Sequence, residues 1–486
     1  AIGFELDSEG AKRFAQLTRE HIGEQLAIVL DGEVKSAPSI RGEIPSGRGE
    51  ITGGRGGFSP EEAFELTGVL NNPLETPVEI LQVQSVEPSL GADSIESGIK
   101  AGILSLVLVA IFMGVYYLRA GWIAVISLVF NMILLIGVLA TFNFTLTLPG
   151  IAGLILTIGV AVDANVLIYE RIRENLINGQ DLRLSVREGF DKAFWTIIDA
   201  NMTTLITALV LAWFGSGPVQ GFGIVLSVGV CTTVFSALVV TRLMFDFLIY
   251  KTGWQKMTML SFIGSTNINF LRWRWPTAAL SVALIVAGVF VTYQKGNDAL
   301  GVDFVGGDAL TLSYKQKVDV AKVRDALEAD VGKDNTIQYQ SGDQLQIKTE
   351  FEKGEKAYEV LTKTFPEAGF AKEQLERVGP TVGGELTRTA LISLAVAALG
   401  IMIYVSARFE FAYAVGALVA LLHDVLITLA LCIMSGRELT LTAIGALLTV
   451  GGYSLNDTIV VFDRIREEVR NKGDRTFEDA TAAAGL

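Results

Sequence analysis

Between Ala120 and Val162, and again between Ala200 and Thr241, the chain carries no Asp, Glu, Lys or Arg. A membrane-spanning helix needs about 20 apolar residues, so each stretch is long enough for two passes. Breaks between the passes are legible at Thr141–Gly150 and at Gly215-Ser-Gly-Pro218. A buried core helix is the other source of apolar runs, but such helices rarely stay uncharged for so long. Nine spans are expected, near 99–118, 122–141, 148–170, 193–214, 220–248, 276–294, 387–407, 411–434 and 440–463. Composition agrees: mean hydropathy is +0.45 and only 19% of residues are charged, so the charges must be crowded elsewhere. With 52 acidic against 39 basic residues there is no basic excess of the kind nucleic-acid binding requires. Cys231 and Cys432, the only cysteines, fall inside expected spans and read as packing residues. With two histidines, they are too few for a disulfide framework or a Cys/His metal cluster.

The charges are crowded into residues 1–98 and 295–385, each long enough for a small folded domain. The second reads as strand Ala309–Tyr314, helix Val318–Ala329, strands Thr336–Gln340 and Gln344–Thr349, helix Glu355–Thr364 and strand Glu373–Val378. That β-α-β-β-α-β order is the ferredoxin-like pattern. In the first, an amphipathic helix is expected around Gly10–His21, a strand at Leu26–Leu30, and a helix starting at Ser59-Pro60-Glu61-Glu62. The expected fold is a polytopic α-helical membrane protein with two small α+β, ferredoxin-like domains. The domains divide as 1–98, spans 99–250, a linker 251–275, a span 276–294, the second domain 295–385, spans 386–470 and a final segment 471–486.

Loops carrying Arg119, Arg171, Arg173, Arg183, Arg187, Lys192, Lys251, Lys256, Arg272, Arg274, Arg408, Arg464, Arg466, Arg470, Lys472 and Arg475 fall on one side, and only Arg437 marks the short loops opposite. By the positive-inside rule the basic side is cytoplasmic, and helix counting puts both domains outside. No signal or span precedes the first domain to carry it across, so the chain reads as part of a longer protein.

The halves repeat. Val86-Glu-Pro-Ser-Leu-Gly91 resembles Val378-Gly-Pro-Thr-Val-Gly383, an offset of 292. The run from Gly159 to Glu174 resembles that from Gly452 to Glu467, an offset of 293, and both end in Arg-Ile-Arg-Glu. Parallel repeats of this kind are related by an axis along the membrane normal. Pro88 and Gly91, in the link into the first span, suit a hinge.

Asp163 lies well inside one repeated helix and Asp457 at nearly the same depth in the other. A mid-membrane carboxylate costs about 2.5–3.5 kcal/mol on insertion scales and is functional by default. Removal from water raises a carboxylate's pKa toward the physiological range, as a proton carrier requires. The bland alternative is a structural Asp paired to a neighbouring helix, which two aspartates at matched depth make weaker. Asn165 and Asn456 are the supporting polar residues. His423-Asp424 suits a packing pair as well as a relay; Arg242 and Asp246 read as an i,i+4 pair. Gly53-Gly-Arg-Gly-Gly57 lacks the ending of a phosphate loop and reads as an exposed loop. Gly301–Gly307 reads as a tight membrane-exit turn. No nucleophile elbow or Ser/His/Asp set is present in the sequence, so no enzyme is expected.

The motifs carry a family resemblance. Val162-Asp163-Ala-Asn165-Val-Leu-Ile-Tyr-Glu-Arg171, Leu26-Ala-Ile-Val-Leu-Asp-Gly32 and Val86-Glu-Pro-Ser-Leu-Gly91 resemble SecD, while Gly301-Val-Asp-Phe-Val-Gly-Gly307 and Asn456-Asp-Thr-Ile-Val-Val-Phe-Asp-Arg-Ile-Arg466 resemble SecF. With both in one chain, the sequence resembles the SecD/SecF family of protein-export membrane proteins in its fused form, SecDF, within the RND transporter superfamily. The resemblance implies twelve spans, six per half, of which the first and the last two lie outside this chain. It also implies a proton path through the aspartates matching Asp163 and Asp457, with an Arg from a later helix. It further implies a bacterial inner-membrane accessory of the Sec translocon, driven by the proton-motive force, with the SecYEG channel, unfolded preproteins and the lipid bilayer as partners and YajC as a further one. No cofactor is expected; H⁺ is the expected coupling ion, with Na⁺ the other ion such a site suits. The alternative class is an RND-type proton-coupled exporter of small molecules or lipids, against which the small outside domains speak.

Overall fold

The computed structural model describes residues 2–30, 33–37, 39–51, 82–260, 270–332, 335–340 and 343–471. The helix expected from Ser59, the Gly53–Gly57 loop and the terminal segment after residue 471 lie outside the described residues. The chain divides into two compact units, Ala1–Ile80 and Leu81–Leu486.

In the first unit, β1 (Ile2–Glu5) pairs antiparallel with β4 (Arg48–Ile51), and β2 (Ile28–Leu30) with β3 (Glu33–Ser36). Helix α1 (Ser8–Glu20) starts where the Asp7 carboxylate accepts the Gly10 N–H, satisfying one of the amides a helix start leaves unpaired. The described strands form two separate two-stranded sheets. The ferredoxin-like expectation for this domain is therefore not met among them: strands of three or four residues close locally and leave no common four-stranded sheet.

The boundary at residue 98 also changes. Strand β5 (Gln82–Val86) belongs to the second unit, where it joins β6 (Gly307–Ser313), β7 (Thr336–Gln340), β8 (Gln344–Thr349) and β9 (Ala371–Val378) in the order β5-β9-β6-β8-β7, every neighbour antiparallel. Helices α9 (Val320–Glu328) and α10 (Gly354–Thr364) complete the β-α-β-β-α-β order. Their apolar faces meet the sheet through Val323, Leu327, Ala357 and Leu361 against Leu310, Leu345 and Ile347. The sheet is pinned by a buried ion pair. Asp308 on β6 accepts from the Arg377 guanidinium at 2.9 Å and from the Glu352 and Gly354 amides. Removing one partner of such a pair leaves an uncompensated buried charge and costs about 3–5 kcal/mol. Asp308→Ala should therefore unfold this domain well before the helices, seen as early loss of hydrogen-exchange protection in β6, β8 and β9. Unchanged protection would mean that the pair is dispensable.

Among the described residues nine helices are long and apolar enough to cross a membrane. They are α2 (Pro88–Tyr116), α3 (Arg119–Thr141), α4 (Leu148–Ile177), α5 (Leu182–Phe214), α6 (Gly217–Thr252), α7 (Arg274–Lys295), α11 (Pro380–Arg408), α12 (Phe411–Met434) and α13 (Leu441–Asn471), with the one-turn α8 (Val302–Val305) before β6. All nine expected spans are present, most of them extended by a turn or more. The repeat is visible as geometry: α2, α3 and α4 correspond in length and order to α11, α12 and α13. Pro88 and Pro380 sit in the first turn of equivalent helices, where a missing N–H costs nothing. That corrects the hinge reading, since a paired strand runs directly into a continuous helix there. Cys231 and Cys432 are free thiols on exposed helix faces rather than packing residues, because the helix faces turned to lipid are themselves apolar. Arg242 pairs with Asp191 of α5 at 3.3 Å instead of with Asp246; the interhelical partner wins over the i,i+4 neighbour.

Candidate functional site

Helices α4 and α13, equivalent by the repeat, carry Asp163 and Asp457. The Tyr453 hydroxyl donates to Asp163 Oδ2 at 2.5 Å, a contact across the two halves. Asp457 lies one turn beyond Tyr453 on the same face of α13, within Coulombic reach of Asp163. Both carboxylates are exposed at the seam between the halves. Close approach of the halves is allowed by Gly452, where a Cβ would stand 2.4 Å from Thr207 Oγ1 of α5.

The two asparagines point elsewhere. Asn165 is buried, its Oδ1 accepting from Thr241 Oγ1 at 3.0 Å and its amide donating to Ala161 O. Asn456 is buried against α5, where Thr204 Oγ1 donates to its Oδ1 at 3.4 Å. Neither makes a hydrogen bond to Asp163 or Asp457 among the described contacts, which corrects their reading as supporting groups. Asn165 is two residues beyond Asp163, about 200° around the helix, and so faces the packing side. Tyr453 was missed by a search for charged residues; the available signal was a tyrosine four residues before Asp457 in an apolar helix. On α12, Asp424 accepts from the His423 ring at 2.8 Å and from the Ser454 hydroxyl of α13, a polar tie between neighbouring helices.

At one end of these helices the repeated Arg-Ile-Arg-Glu motifs interlock. Arg171 donates to Glu174 on its own helix at 3.2 Å and to Glu467 across the halves at 2.8 Å. Arg464 does the reciprocal, to Glu467 at 2.9 Å and to Glu174 at 2.9 Å. Arg171, Glu174 and Arg464 of the quartet border a cavity of about 430 Å³ that Thr196 and Asp463 also line, with Thr196 Oγ1 donating to Asp463 Oδ2 at 2.6 Å. Close by, the buried Asp199 of α5 accepts from Arg408 Nε at 2.7 Å and from the Tyr404 hydroxyl at 2.8 Å on α11.

At the opposite end the sheet joins the halves. Strands β5 and β9, which lead into the equivalent helices α2 and α11, pair antiparallel with Gln84 facing Glu376. Those two residues are themselves 292 apart, the repeat offset, so the local two-fold axis passes between them. Glu376 accepts from Gln84 at 3.1 Å and from Gln374 at 2.7 Å, and Asp303 accepts the Leu441 N–H at the start of α13. Gly301–Gly307 is thus more than an exit turn: its Asp303 caps the helix carrying Asp457. Gly307 adopts φ 117°, and a Cβ there would stand 2.5 Å from Thr349 O, so glycine is required. Burial raises the pKa of Asp303, and burial together with the Asp303 charge raises that of Glu376. The native protein therefore holds protons that an unfolded carboxylate has already lost. Stability is greatest below the ordinary carboxylate range and falls as pH rises from there through the raised values. Glu376→Gln should flatten part of that fall, read as thermal midpoint against pH. An unchanged slope would assign it to other groups.

Comparison with known proteins joins these features. Residues 68–251 and 357–484 match the family described as protein export membrane protein SecD/SecF, C-terminal, and residues 1–74 match the SecDF P1 head subdomain. The protein translocase subunit SecDF of Brucella abortus is 34% identical, over 96% of this chain and 63% of its own length. The SecD subunit of Desulfurispirillum indicum is 50% identical over 51% of this chain and 48% of its own. The crystal structure of SecDF from Thermus thermophilus, titled a translocon-associated membrane protein, superposes with a TM-score of 0.81 at 34% identity, over 99% of this chain and 66% of that one. This chain therefore spans less than two thirds of the length of these relatives. The family match falls on both halves of the helix bundle, on the very helices that carry Asp163, Asp457 and the interlocked Arg-Ile-Arg-Glu motifs, and the chain is a multi-pass membrane protein that belongs to the SecD/SecF protein-export family.

Proposed function

We propose that this chain is the membrane core of an ion-driven accessory of the Sec translocon, promoting export and release of preproteins on the far side of a bacterial inner membrane. The observation that carries the reading is the Asp163–Tyr453 contact with Asp457 beside it, which puts ionisable groups of both halves at one seam within the membrane. Protonation changes alter how α4 and α13 hold each other there. Strands β5 and β9 run directly into the equivalent helices α2 and α11, and Asp303 just before β6 caps α13, so a change at the seam reaches the sheet. Moving one charge through 100 mV supplies about 2.3 kcal/mol, enough to shift a two-state equilibrium roughly fiftyfold. H⁺ is the coupling ion in this reading, and no cofactor takes part. The partners are SecYEG, unfolded preproteins and YajC, with no covalent chemistry of its own.

The sidedness is testable directly. In the full-length protein in cells, Lys356→Cys on the exposed face of α10 should react with a membrane-impermeant maleimide from outside, and Arg187→Cys on α5 should not. Labelling of Arg187→Cys with protection of Lys356→Cys would invert the membrane orientation and end the reading as an outside-acting accessory.

A further inference from the structure

At the membrane boundary where α3 begins and α6 ends lies a cavity of about 630 Å³, lined by Arg119, Trp122, Leu248, Thr252, Trp254 and Lys256 among others. No carboxylate lines it. Among the described residues neither the Arg119 nor the Lys256 side chain has an ion-pair or hydrogen-bond partner. The sequence around it is one-sided: between Asp246 and the start of α7 at Arg274 there is no acid, against Lys251, Lys256, Arg272 and Arg274. Two cations facing one cavity without a counter-ion repel each other, and an anion brought between them relieves that repulsion.

The walls say which kind of anion. Trp254 is fixed, its ring stacked on the buried Phe245 at 5.9 Å and its indole N–H donating to Lys256 O at 2.7 Å. Trp122 is 60% exposed, and below it on α3 run Ile126, Phe130 and Ile133, all exposed. Tryptophan at a span end marks the headgroup level, and basic pockets between spans there take anionic headgroups. A free phosphate would use the cations and leave the apolar track idle.

We propose that this cavity binds the headgroup of an anionic phospholipid, its phosphate between Arg119 and Lys256 and its acyl chains along Trp122, Ile126 and Phe130. Two cations near the surface give an expected preference over a zwitterionic lipid on the order of thirtyfold. The site is independent of the ion-coupling reading, and neither cation belongs to that machinery.

The test uses the full chain purified in detergent and titrated with phosphatidylglycerol, phosphatidylcholine or inorganic phosphate, with bound lipid read by native mass spectrometry. Phosphatidylglycerol should bind preferentially, and millimolar phosphate should fail to displace it. Arg119→Gln combined with Lys256→Gln should remove the preference, Arg119→Gln alone should reduce it, and Lys192→Gln, an exposed cation elsewhere on α5, should leave it intact. Equal binding of phosphatidylcholine, full displacement by phosphate, or an unchanged preference in the double variant would each overturn the proposal.

Discussion

Asp163→Asn in the full-length protein is expected to assemble normally and to lose ion flux and export stimulation together, by tenfold or more. The substitution keeps the side chain's shape and leaves an oxygen to accept from Tyr453 Oη, so packing is preserved. What it removes is the ability to change charge, the one property that an ion carrier in the membrane needs. Asp457→Asn should act in the same direction but less completely, because Asp457 reaches the seam by its charge and Asp163 is also held by the tyrosine. Tyr453→Phe tests the link itself and should slow flux without abolishing it. A structural aspartate would behave oppositely: Asn would be tolerated, and Ala would destabilise the protein. Flux and secretion measured side by side, with expression checked, separate the cases. Normal flux and secretion in Asp163→Asn would replace the ion-relay reading with a passive scaffold.

The spans were legible because the bilayer imposes one rule, length without charge, that a single sequence displays. The strand order within 307–378 was legible because alternation such as Gln344-Leu-Gln-Ile-Lys-Thr349 fixes strand and buried face together, with Leu345 and Ile347 in the core. What failed was pairing across distance. Gln82–Val86 has too little alternation to declare a strand, and its partner lies almost three hundred residues away. Asp7 and Asp319 cap helices that begin at the next residue, whereas Asp303 caps a helix that begins 138 residues later. The same limit explains the asparagines: which way a residue faces depends on helix rotation, and Asn165, two residues from Asp163, and Asn456, one residue from Asp457, are turned from them by about 200° and about 100°. The duplicated Arg-Ile-Arg-Glu was seen as a mark of repetition, and nothing in one sequence says that two copies of a motif touch.

That contact carries the second large effect. In the quartet each arginine serves one glutamate of its own helix and one of the other, so the two copies close a ring about the repeat axis. Exposed pairs contribute about 0.2–1 kcal/mol each; Arg171 is only 19% exposed and the four contacts share partners, which places the ring at roughly 2 kcal/mol. Arg171→Glu turns two attractions into repulsions and leaves three acids around Arg464. It should lower the thermal midpoint by several degrees and reduce export severalfold, because the ring fixes the rotation of α4 against α13 and hence the Asp163–Tyr453 contact two turns away. Exchanging all four charges, Arg171→Glu, Glu174→Arg, Arg464→Glu and Glu467→Arg, reverses every sign and keeps every pairing. If the ring acts through charge complementarity, that quadruple variant should recover most of the midpoint and of the export that Arg171→Glu loses. A quadruple variant as impaired as the single one would show that side-chain shape, rather than the closed ring of charges, holds the two halves in register.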